Sequence, residues 1–326
     1  MLAVPASAVA LTTGAAESAA PASAPAGAQA PGSSLRPLKV NVTPRRLGFG
    51  RDVTVTGTAP PADAGRTLWL QTAPSRRWRW RRLSSTQVGR DGHFRLAAPL
   101  RESGLVRVFD PSAGSTTTAP GAISIAIAGD PAVAASAPQS VLVGAELAVA
   151  KRSFSVLGGR AIAFSGRLLP ARPGRPIRLQ ARFAGTHHWR TLAGSRTGTR
   201  GGFRLRYVAG EGSGAAGSEP LRVLFSGDRH NASSRRRIGQ LTVYNQSVAS
   251  WYEDAGGTAC GFHATFGVAN RDLPCGTRVS FRHAGRTVNA VVDDRGPFVS
   301  GRDWDLNQNT AGALAFSGVD TVWSTR

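Results

Sequence analysis

The sequence has no uninterrupted apolar run of the roughly 20 residues that a membrane-spanning helix requires, so an integral membrane protein is not expected. It contains only two cysteines, Cys260 and Cys275, and two cysteines so far apart are not the ligand set of a metal site. Lysine is almost absent, with Lys39 and Lys151 as the only two, so arginine supplies nearly all of the positive charge. Acidic residues are also few, since 19 stand against 40 basic residues and the formal net charge is +21.

The positive charge is concentrated in the part of the chain before residue 246. Residues 246–326 carry seven arginines and eight acidic residues, a balance of −1, so the preceding residues carry +22. No helical DNA-reading motif accompanies this charge, which therefore predicts only non-specific, salt-sensitive attraction to nucleic acid and no specific nucleic-acid partner. In an exported protein, the expected anions are phosphate or carboxylate groups of envelope polymers.

The beginning of the chain differs in composition from the rest. The run "MLAVPASAVALTTGAAESAA" is short, weakly apolar and rich in alanine, but it lacks the basic start of a secretory signal. We interpret residues 1–34 as the remnant of a signal peptide followed by an Ala/Pro linker; a disordered leader is the alternative.

Residues 35–245 contain an internal repeat. The segment "VTVTGTAPPADAGRTLWLQ" (53–71) matches "IAFSGRLLPARPGRPIRLQ" (162–180), and the same constant offset relates "GHFRL" to "GGFRL" and Trp80 to Trp189. Apolar residues alternate within each copy, and Gly/Pro turns recur at short, regular intervals, as is typical of small antiparallel sandwiches. The pattern predicts two immunoglobulin-like β-sandwiches, at 35–131 and 139–245.

The segment "RRWRWRR" (76–82) is the most basic part of the first copy. On a strand, Trp78 and Trp80 point to one face and the arginines between them to the other. One interpretation is an anion-binding stripe with aromatic rings. The other, favoured because the second copy also has a tryptophan at the matching position, is that Trp80 belongs to the core.

Residues 246–326 form a third compositional unit, with strand-like runs at 247–252, 277–282, 286–293 and 320–324 and the helix-compatible "TAGALAF" before the last of these. About 80 residues of this kind predict a compact closed barrel. Export favours a disulfide between Cys260 and Cys275, which would contribute about 3 kcal/mol by restricting the unfolded chain. The alternative is two unrelated buried thiols.

Several phrases of this unit occur in an ordered series: "ASWY", "GVAN", "DLPCGTRV", "VVDDRGPFV" and "WDL". Together they resemble the RlpA-like double-psi β-barrel of rare lipoprotein A, which is similar to the first domain of expansins and to family-45 glycoside hydrolases. The resemblance covers residues 246–326. With the repeat, it predicts an all-β chain: two immunoglobulin-like sandwiches followed by a six-stranded double-psi β-barrel with one short helix.

The resemblance implies a secreted protein associated with the cell wall. Some RlpA-like proteins are lytic transglycosylases that cleave peptidoglycan glycan strands and prefer strands without stem peptides, whereas expansins loosen polysaccharide networks without hydrolysis. We therefore expect peptidoglycan or another wall polysaccharide as the partner, and lytic transglycosylation, without a cofactor or metal, as the leading activity. A non-catalytic, expansin-like binding module with basic sandwiches for adhesion is the alternative, and a domain that binds another protein is a third possibility.

The resemblance also implies site residues. Strand alternation sends the adjacent Asp293 and Asp294 to opposite faces, so they are not expected to share one substrate. Asp305, in "WDL", matches the general acid of the related glycosidases, and Asp294 matches the acid of the "DRGP" phrase. We expect Asp305 to act as the acid and Asp294 as its partner. In the alternative, Asp294 is a turn residue and Asp305 caps the following helix.

Four further residues are predicted to contact the substrate: Trp251, Tyr252, Arg295 and Trp304. The aromatic rings could stack on sugars beside the carboxylates, or they could fill the barrel. The chain departs from the transglycosylase pattern, because Asn270 stands where the family has a histidine and no acidic residue occurs in "CGFHATFGVA".

Overall fold

The computed structural model describes residues 38–74, 79–112, 135–150, 152–183, 186–210, 218–253 and 256–326. Throughout this part the chain is built from strands with one short α-helix, which confirms the predicted all-β class. The predicted signal-peptide remnant and linker at 1–34 lie outside the described residues, as does Trp78. No helix among the described residues is long and apolar enough to cross a membrane.

The described residues of the first sandwich form eight strands. They are β1 (Lys39–Thr43), β2 (Arg46–Leu47), β3 (Arg51–Thr58), β4 (Thr67–Ala73), β5 (Arg81–Gln87), β6 (His93–Leu100), β7 (Gly104–Phe109) and β8 (Gln139–Val143). One sheet has the order β1-β3-β6 and the other β2-β8-β7-β4-β5. Alternate residues of β6 are buried between the sheets, as the period of two in its sequence predicts.

The strand β8 corrects the predicted boundary at residue 139. Its residues were assigned to the second sandwich, but β8 pairs antiparallel with β7 of the first. Val141 and Val143 are buried in the first core, and their burial is the physical reason for this position.

The second sandwich repeats the arrangement. Its strands are β9 (Glu146–Val149), β10 (Phe154–Leu157), β11 (Ala161–Leu169), β12 (Pro176–Arg182), β13 (Trp189–Arg196), β14 (Gly202–Val208), β15 (Ser218–Phe225) and the first half of β16 (Ser234–Tyr252). The sheet β14-β11-β9 faces a sheet containing β13-β12-β15-β16, with β10 beside β16. Both sandwiches enclose cores of their own, and their immunoglobulin-like classification stays a prediction.

A glycine shows how closely the two copies correspond. A Cβ atom on Gly57 would lie 2.5 Å from the Phe94 ring, and one on Gly166 would lie 2.5 Å from the Phe203 ring. Each phenylalanine therefore packs directly over a glycine of the neighbouring strand, and a larger residue would displace it. This contact explains why "GHFRL" and "GGFRL" recur with a glycine at a fixed distance before them.

The C-terminal unit is a closed six-stranded barrel, as predicted. Besides the second half of β16 it contains β17 (Gly267–Ala269), β18 (Arg278–His283), β19 (Arg286–Asp294), β20 (Trp304–Asn307), α1 (Gln308–Leu314) and β21 (Asp320–Ser324). The strands follow one another in the order β16-β20-β17-β19-β18-β21, and β21 pairs with β16 to close the ring. Asn307 caps α1, since its Oδ1 accepts a hydrogen bond from the Thr310 amide at 2.9 Å.

The predicted boundary at residue 246 falls inside β16, a continuous strand of 19 residues. Its first half pairs with β15 of the second sandwich, and its second half pairs with β20 and β21 of the barrel. At the crossing point Tyr244 is 2% exposed, and its ring centroid lies 6.0 Å from that of Trp323. A shared strand and a shared aromatic contact thus join the sandwich to the barrel without a linker.

The two sandwiches are joined by buried polar contacts. Asn231 is 1% exposed, and its Nδ2 donates to the backbone carbonyls of Arg101 (2.9 Å) and Val143 (3.3 Å). The amide of Ser103 donates to the carbonyl of His230 at 2.7 Å. Buried donors and acceptors that are satisfied in this way hold the contact in one geometry. The described residues accordingly form one compact unit.

Glu219 gives a prediction about stability and pH. Its side chain is buried in the second sandwich, which raises its pKa to about 7, although Arg190 acts in the opposite direction. A carboxyl whose pKa is higher in the folded state makes the fold less stable as pH rises from the unfolded pKa through the folded one. We expect Glu219→Gln to raise the free energy of unfolding at pH 8 by roughly 1 to 3 kcal/mol relative to its effect at pH 4, as measured by urea unfolding.

The exposed Glu146 of β9 provides the control, because Glu146→Gln removes the same charge from the surface of the same sandwich. An equal response of the two variants to pH would contradict a special contribution from Glu219.

Candidate functional site

The two candidate carboxylates flank one residue of the barrel. Ala269 of β17 pairs with Asp294 of β19 on one side and with Asp305 of β20 on the other. Two strand spacings place the α-carbons of these aspartates about 10 Å apart. The fold thus brings together two residues that are separated in the sequence by a turn and part of a strand.

A β-bulge in β19 sets the face of the sheet on which Asp294 lies. Val268 pairs with Val292, but the next residue, Ala269, pairs with Asp294, so Asp293 is the extra residue. The bulge interrupts the alternation of side chains and places Asp294 on the face opposite the buried Val292. Asp305 likewise lies opposite the face of Leu306, which packs in the core.

Asp293 is fully buried and holds a loop. Its Oδ2 accepts a hydrogen bond from the amide of Ala264 at 2.8 Å, and its Oδ1 accepts one from the amide of Val268 at 3.0 Å. A Cβ atom on Gly267 would lie 2.2 Å from Asp293 Oδ2, so only glycine fits beside the carboxylate. Asp293 is therefore a structural residue, whose carboxylate is engaged by backbone amides.

Asp305 is half-buried on the open face of β20. Its Oδ1 accepts a hydrogen bond from the Ser250 hydroxyl at 2.8 Å, and Ser250 lies directly opposite it on β16. Burial raises the pKa of Asp305, and the negative charge of Asp294 raises it further, while Ser250 and Arg302 lower it. A carboxyl in this environment holds its proton to higher pH than an exposed one, as a general acid requires. Asp305 does not cap α1, because Asn307 does.

Asp294 combines an electrostatic effect on Asp305 with a structural role. Its Oδ1 accepts hydrogen bonds from the amides of Ala259 and Arg295, both at 2.8 Å. Hydrogen bonds of this kind are typical of an aspartate that caps a turn, which is the alternative interpretation of Asp294 that the sequence allowed. Since both fall on Oδ1, Oδ2 is the oxygen that can accept a proton from a bound molecule.

Arg295, predicted to bind substrate, holds the turn that follows β17. Its Nη1 donates to the carbonyls of Asn270 (3.1 Å) and Leu273 (2.9 Å), and its Nη2 lies 3.1 Å from the Cys275 sulfur. The Asn270 side chain, at the family's histidine position, accepts from the amides of Asp272 and Leu273. Both residues therefore shape the edge of the site through backbone contacts.

The disulfide between Cys260 and Cys275 is present, as predicted. Cys260 lies in the loop whose amides bind Asp293 and Asp294, and Cys275 lies in the turn that Arg295 holds. The disulfide thus joins the two segments that border the carboxylates, and it acts on the same loop as the Asp293 carboxylate.

The three aromatic residues predicted to contact the substrate lie in different positions. Trp304 is 3% exposed and packs edge-on against Phe281, with ring centroids 5.0 Å apart, so it fills the barrel and the prediction that it stacks on a sugar is wrong. Trp251 is 39% exposed, but it lies on the face of β16 opposite Ser250. Tyr252 is half-buried and follows Ser250 by two residues, which gives it the same face as Ser250 and Asp305.

The structure adds Phe298, which the sequence interpretation did not select. Its side chain is 82% exposed, although it is a large apolar residue. The position of a Cβ atom on Gly296 lies 3.9 Å both from Ala269 Cβ and from Phe298 Cδ2, so the ring stands near the residue that separates the two aspartates. The phrase "GPF" could have indicated Phe298 in the sequence, because an aromatic residue close to a candidate acid can contact a sugar ring.

Among the residues that the structure describes, no group of three or more histidine, cysteine, aspartate or glutamate side chains is arranged to hold a metal ion. The side chains described at this face carry carboxyl, hydroxyl and aromatic groups.

Comparisons with known proteins are informative for the barrel only. Residues 244–322 match the model of a protein family described as lytic transglycolase. No curated protein matches the sequence.

Among solved structures, one similar chain comes from a study of the structural basis of T cell specificity and activation by the bacterial superantigen toxic shock syndrome toxin-1. It is 15% identical with a TM-score of 0.23, over 31% of this chain and 99% of that one. Another is a chimeric titin Z1Z2-Z1Z2 tandem functionalised with a GRGDS peptide from fibronectin, 12% identical with a TM-score of 0.22, over 63% of this chain and 99% of the other.

The closed ring of six strands and the family match describe the same segment. Such domains are typically extracellular or associated with the cell wall, and they act on or bind wall polysaccharide. The C-terminal quarter of this chain is a double-psi β-barrel of the lytic transglycosylase-like family.

Proposed function

We propose that this is an exported, wall-associated protein whose barrel binds peptidoglycan glycan strands and cleaves them by lytic transglycosylation. The observation that carries the proposal is the pair Asp305 and Asp294 on the two sides of Ala269, with Asp305 in the environment that favours its protonated form. The basic sandwiches would add adhesion to anionic polymers of the envelope.

The reaction needs one general acid, and water is not a reactant because the nucleophile is a hydroxyl of the sugar itself. The protonated Asp305 donates its proton to the glycosidic oxygen as the bond from C1 to that oxygen breaks, which releases the leaving sugar as an alcohol. The 6-hydroxyl of the sugar that retains C1 then attacks this carbon and forms a 1,6-anhydro ring. The proton of that hydroxyl passes to Asp294 Oδ2 and returns to Asp305 through solvent, so protons balance over the cycle.

The second candidate is a non-catalytic module that binds or loosens polysaccharide. It is favoured by Asn270, whose side chain is engaged in the turn where the family pattern has a histidine. The amide hydrogen bonds of Asp294 also fit a purely structural carboxylate. Under this hypothesis the same face binds glycan, and Asp305 serves as a hydrogen-bonding group.

Detection of the reaction product distinguishes the enzyme from the binding module. The full chain is incubated with glycan strands from which the peptides have been removed, and mass spectrometry is used to detect 1,6-anhydro ends. Accumulating product supports the enzyme, whereas sedimentation with intact strands and no such ends would establish the binding module instead.

We expect Asp305→Asn to lower the rate of product formation by about 10²-fold or more, because the amide cannot donate a proton in the same way. Asp272→Asn is the matched control, since Asp272 is an exposed acid of the same barrel and should leave the rate unchanged. A fully active Asp305→Asn variant would show that another group is the acid.

Two substitutions should move the pH dependence in opposite directions. Ser250→Ala removes a hydrogen bond that lowers the pKa of Asp305, so activity should persist to higher pH. Asp294→Asn removes a charge that raises this pKa, so the residual activity should be lost at lower pH. The measurement is the pH at which kcat/KM falls on the alkaline side of its profile. If this pH is the same in both variants as in the unmodified protein, the assignment of Asp305 as the acid is contradicted.

Phe298 should contribute to binding rather than to folding. We expect Phe298→Ala to weaken glycan binding about three- to tenfold, because a stacking surface is lost, while the melting temperature stays the same for a side chain this exposed. Phe298→Tyr should retain binding. Val319→Ala, which shortens another exposed apolar residue of the barrel, is the control, and an equal effect of both alanine variants would remove Phe298 from the site.

A further inference from the structure

Both sandwiches carry the same arrangement of arginine, tryptophan and glutamine. In the first, the Arg107 guanidinium lies 4.0 Å from the centroid of the Trp80 ring, and its Nε donates to Gln71 Oε1 at 2.9 Å. In the second, Arg222 lies 4.1 Å from the centroid of Trp189, and its Nε donates to Gln180 Oε1 at 2.8 Å. We call these two groups the paired arginine sites.

The paired arginine sites lie on the outer faces of the larger sheets. Arg107 alternates along β7 with Val106 and Val108, which are buried in the first core, so its side chain projects from the opposite face. Arg222 alternates in the same way with Leu221 and Val223 of the second core.

This position corrects the expectation that Trp80 is a core residue. Trp80 precedes β5 and is half-buried under Arg107 rather than between the sheets.

Within the described part of the chain, neither arginine has a carboxylate partner. Among the residues that the structure describes, Arg107 and Arg222 form no salt bridge, although Arg107 is only 8% exposed. Charged groups that are buried to this extent are usually paired, because removal of the charge from water is costly. Burial lowers the pKa of both guanidinium groups, and Arg235 and Arg237 lower that of Arg222 further through repulsion. The described residues therefore supply no counter-charge at either site.

Other arginines surround each site. At the first, a pocket of about 550 Å³ is lined by Arg79, Trp80, Arg81 and Arg101. Glu102, the carboxylate among its described lining residues, is already paired with Arg172 and His230. At the second, Arg235 and Arg237 are exposed on the neighbouring strand. Such clusters attract a molecule with several negative charges.

The stacking geometry favours an oxyanion over a nucleic-acid base. One face of each tryptophan ring is covered by the chain's own guanidinium, so a base cannot stack there. A guanidinium held flat by an aromatic ring and a glutamine presents its remaining N–H groups in a planar fork, which matches phosphate and carboxylate groups.

We propose that the paired arginine sites bind the oxyanions of a linear acidic polymer of the cell envelope, with one site in each sandwich. The proposal rests on the adhesion part of the proposed function and is independent of glycan cleavage. Two sites within one compact unit can engage the same polymer, which strengthens binding beyond that of either site alone.

Binding is measured with the full chain and four probes: long-chain polyphosphate, polyglucuronate, a neutral chitin oligomer and duplex DNA. We expect binding to one or both acidic polymers, with phosphate and carboxylate distinguished by the first two probes, and affinity that falls as salt is added. Tightest binding to DNA would overturn the proposal in favour of a nucleic-acid surface, and failure to bind either acidic polymer would overturn it outright.

The central variant is Arg107→Gln with Arg222→Gln, which should weaken binding by about tenfold or more through loss of charge-assisted contacts. Its control is Arg95→Gln with Arg204→Gln, two exposed arginines at matching positions of β6 and β14, on the opposite sheets. This control removes the same charge and should weaken binding less than about threefold. An equal loss in both variants would mean that net charge alone binds the polymer.

A further variant keeps the proposal testable if Arg107→Gln does not fold. Arg235→Gln with Arg237→Gln changes only exposed residues beside Arg222, and it should weaken binding more than the Arg95 and Arg204 control. Cleavage of peptide-free strands should be unchanged in all these variants. Loss of polymer binding with cleavage intact supports the proposal, and intact polymer binding in every variant would refute it whether or not the barrel is an enzyme.

Discussion

The buried carboxylate of Asp293 is the interaction on which the candidate site depends. It binds the amides of Ala264 and Val268, so it fixes the loop beside β17 and occupies the extra position of the bulge in β19. Without that bulge, alternation would place Asp294 on the face of Val292, away from Asp305. The disulfide between Cys260 and Cys275 restrains the same loop from its other side. A carboxylate engaged only by backbone amides thus helps to set the register that places Asp294 at the candidate site.

The continuous strand β16 has a comparable role on a larger scale. Because one strand completes the second sandwich and begins the barrel, the orientation of the site relative to that sandwich is set by backbone hydrogen bonds rather than by a flexible linker. The buried contacts of Asn231 extend this connection to the first sandwich. A polymer held by the sandwiches would therefore lie in a defined direction from the barrel.

Local patterns in the sequence predicted much of this architecture. The alternation of apolar residues within each copy and the constant offset between the two copies indicated two similar β units, and the phrases around Asp294 and Asp305 indicated the barrel. The short strands β17 and β20 could not be predicted, because three or four residues have no clear period and pair only with distant strands. The place of β8 was missed for a similar reason, since its pairing with β7 spans a long insertion.

Residue types at short or constant spacing predicted the fold class and the repeat, and the family phrases selected the two candidate aspartates; export favoured the disulfide. Strand pairing and packing in three dimensions decided the burial of Trp304, the exposure of Phe298 beside Ala269, and the contacts of Arg107 and Arg222 with equivalent tryptophans. Those two arginines are not separated by the repeat offset, so the constant offset between the copies does not relate them. Their common position arises from strand pairing, which joins residues far apart in the chain through hydrogen bonds that local composition does not encode.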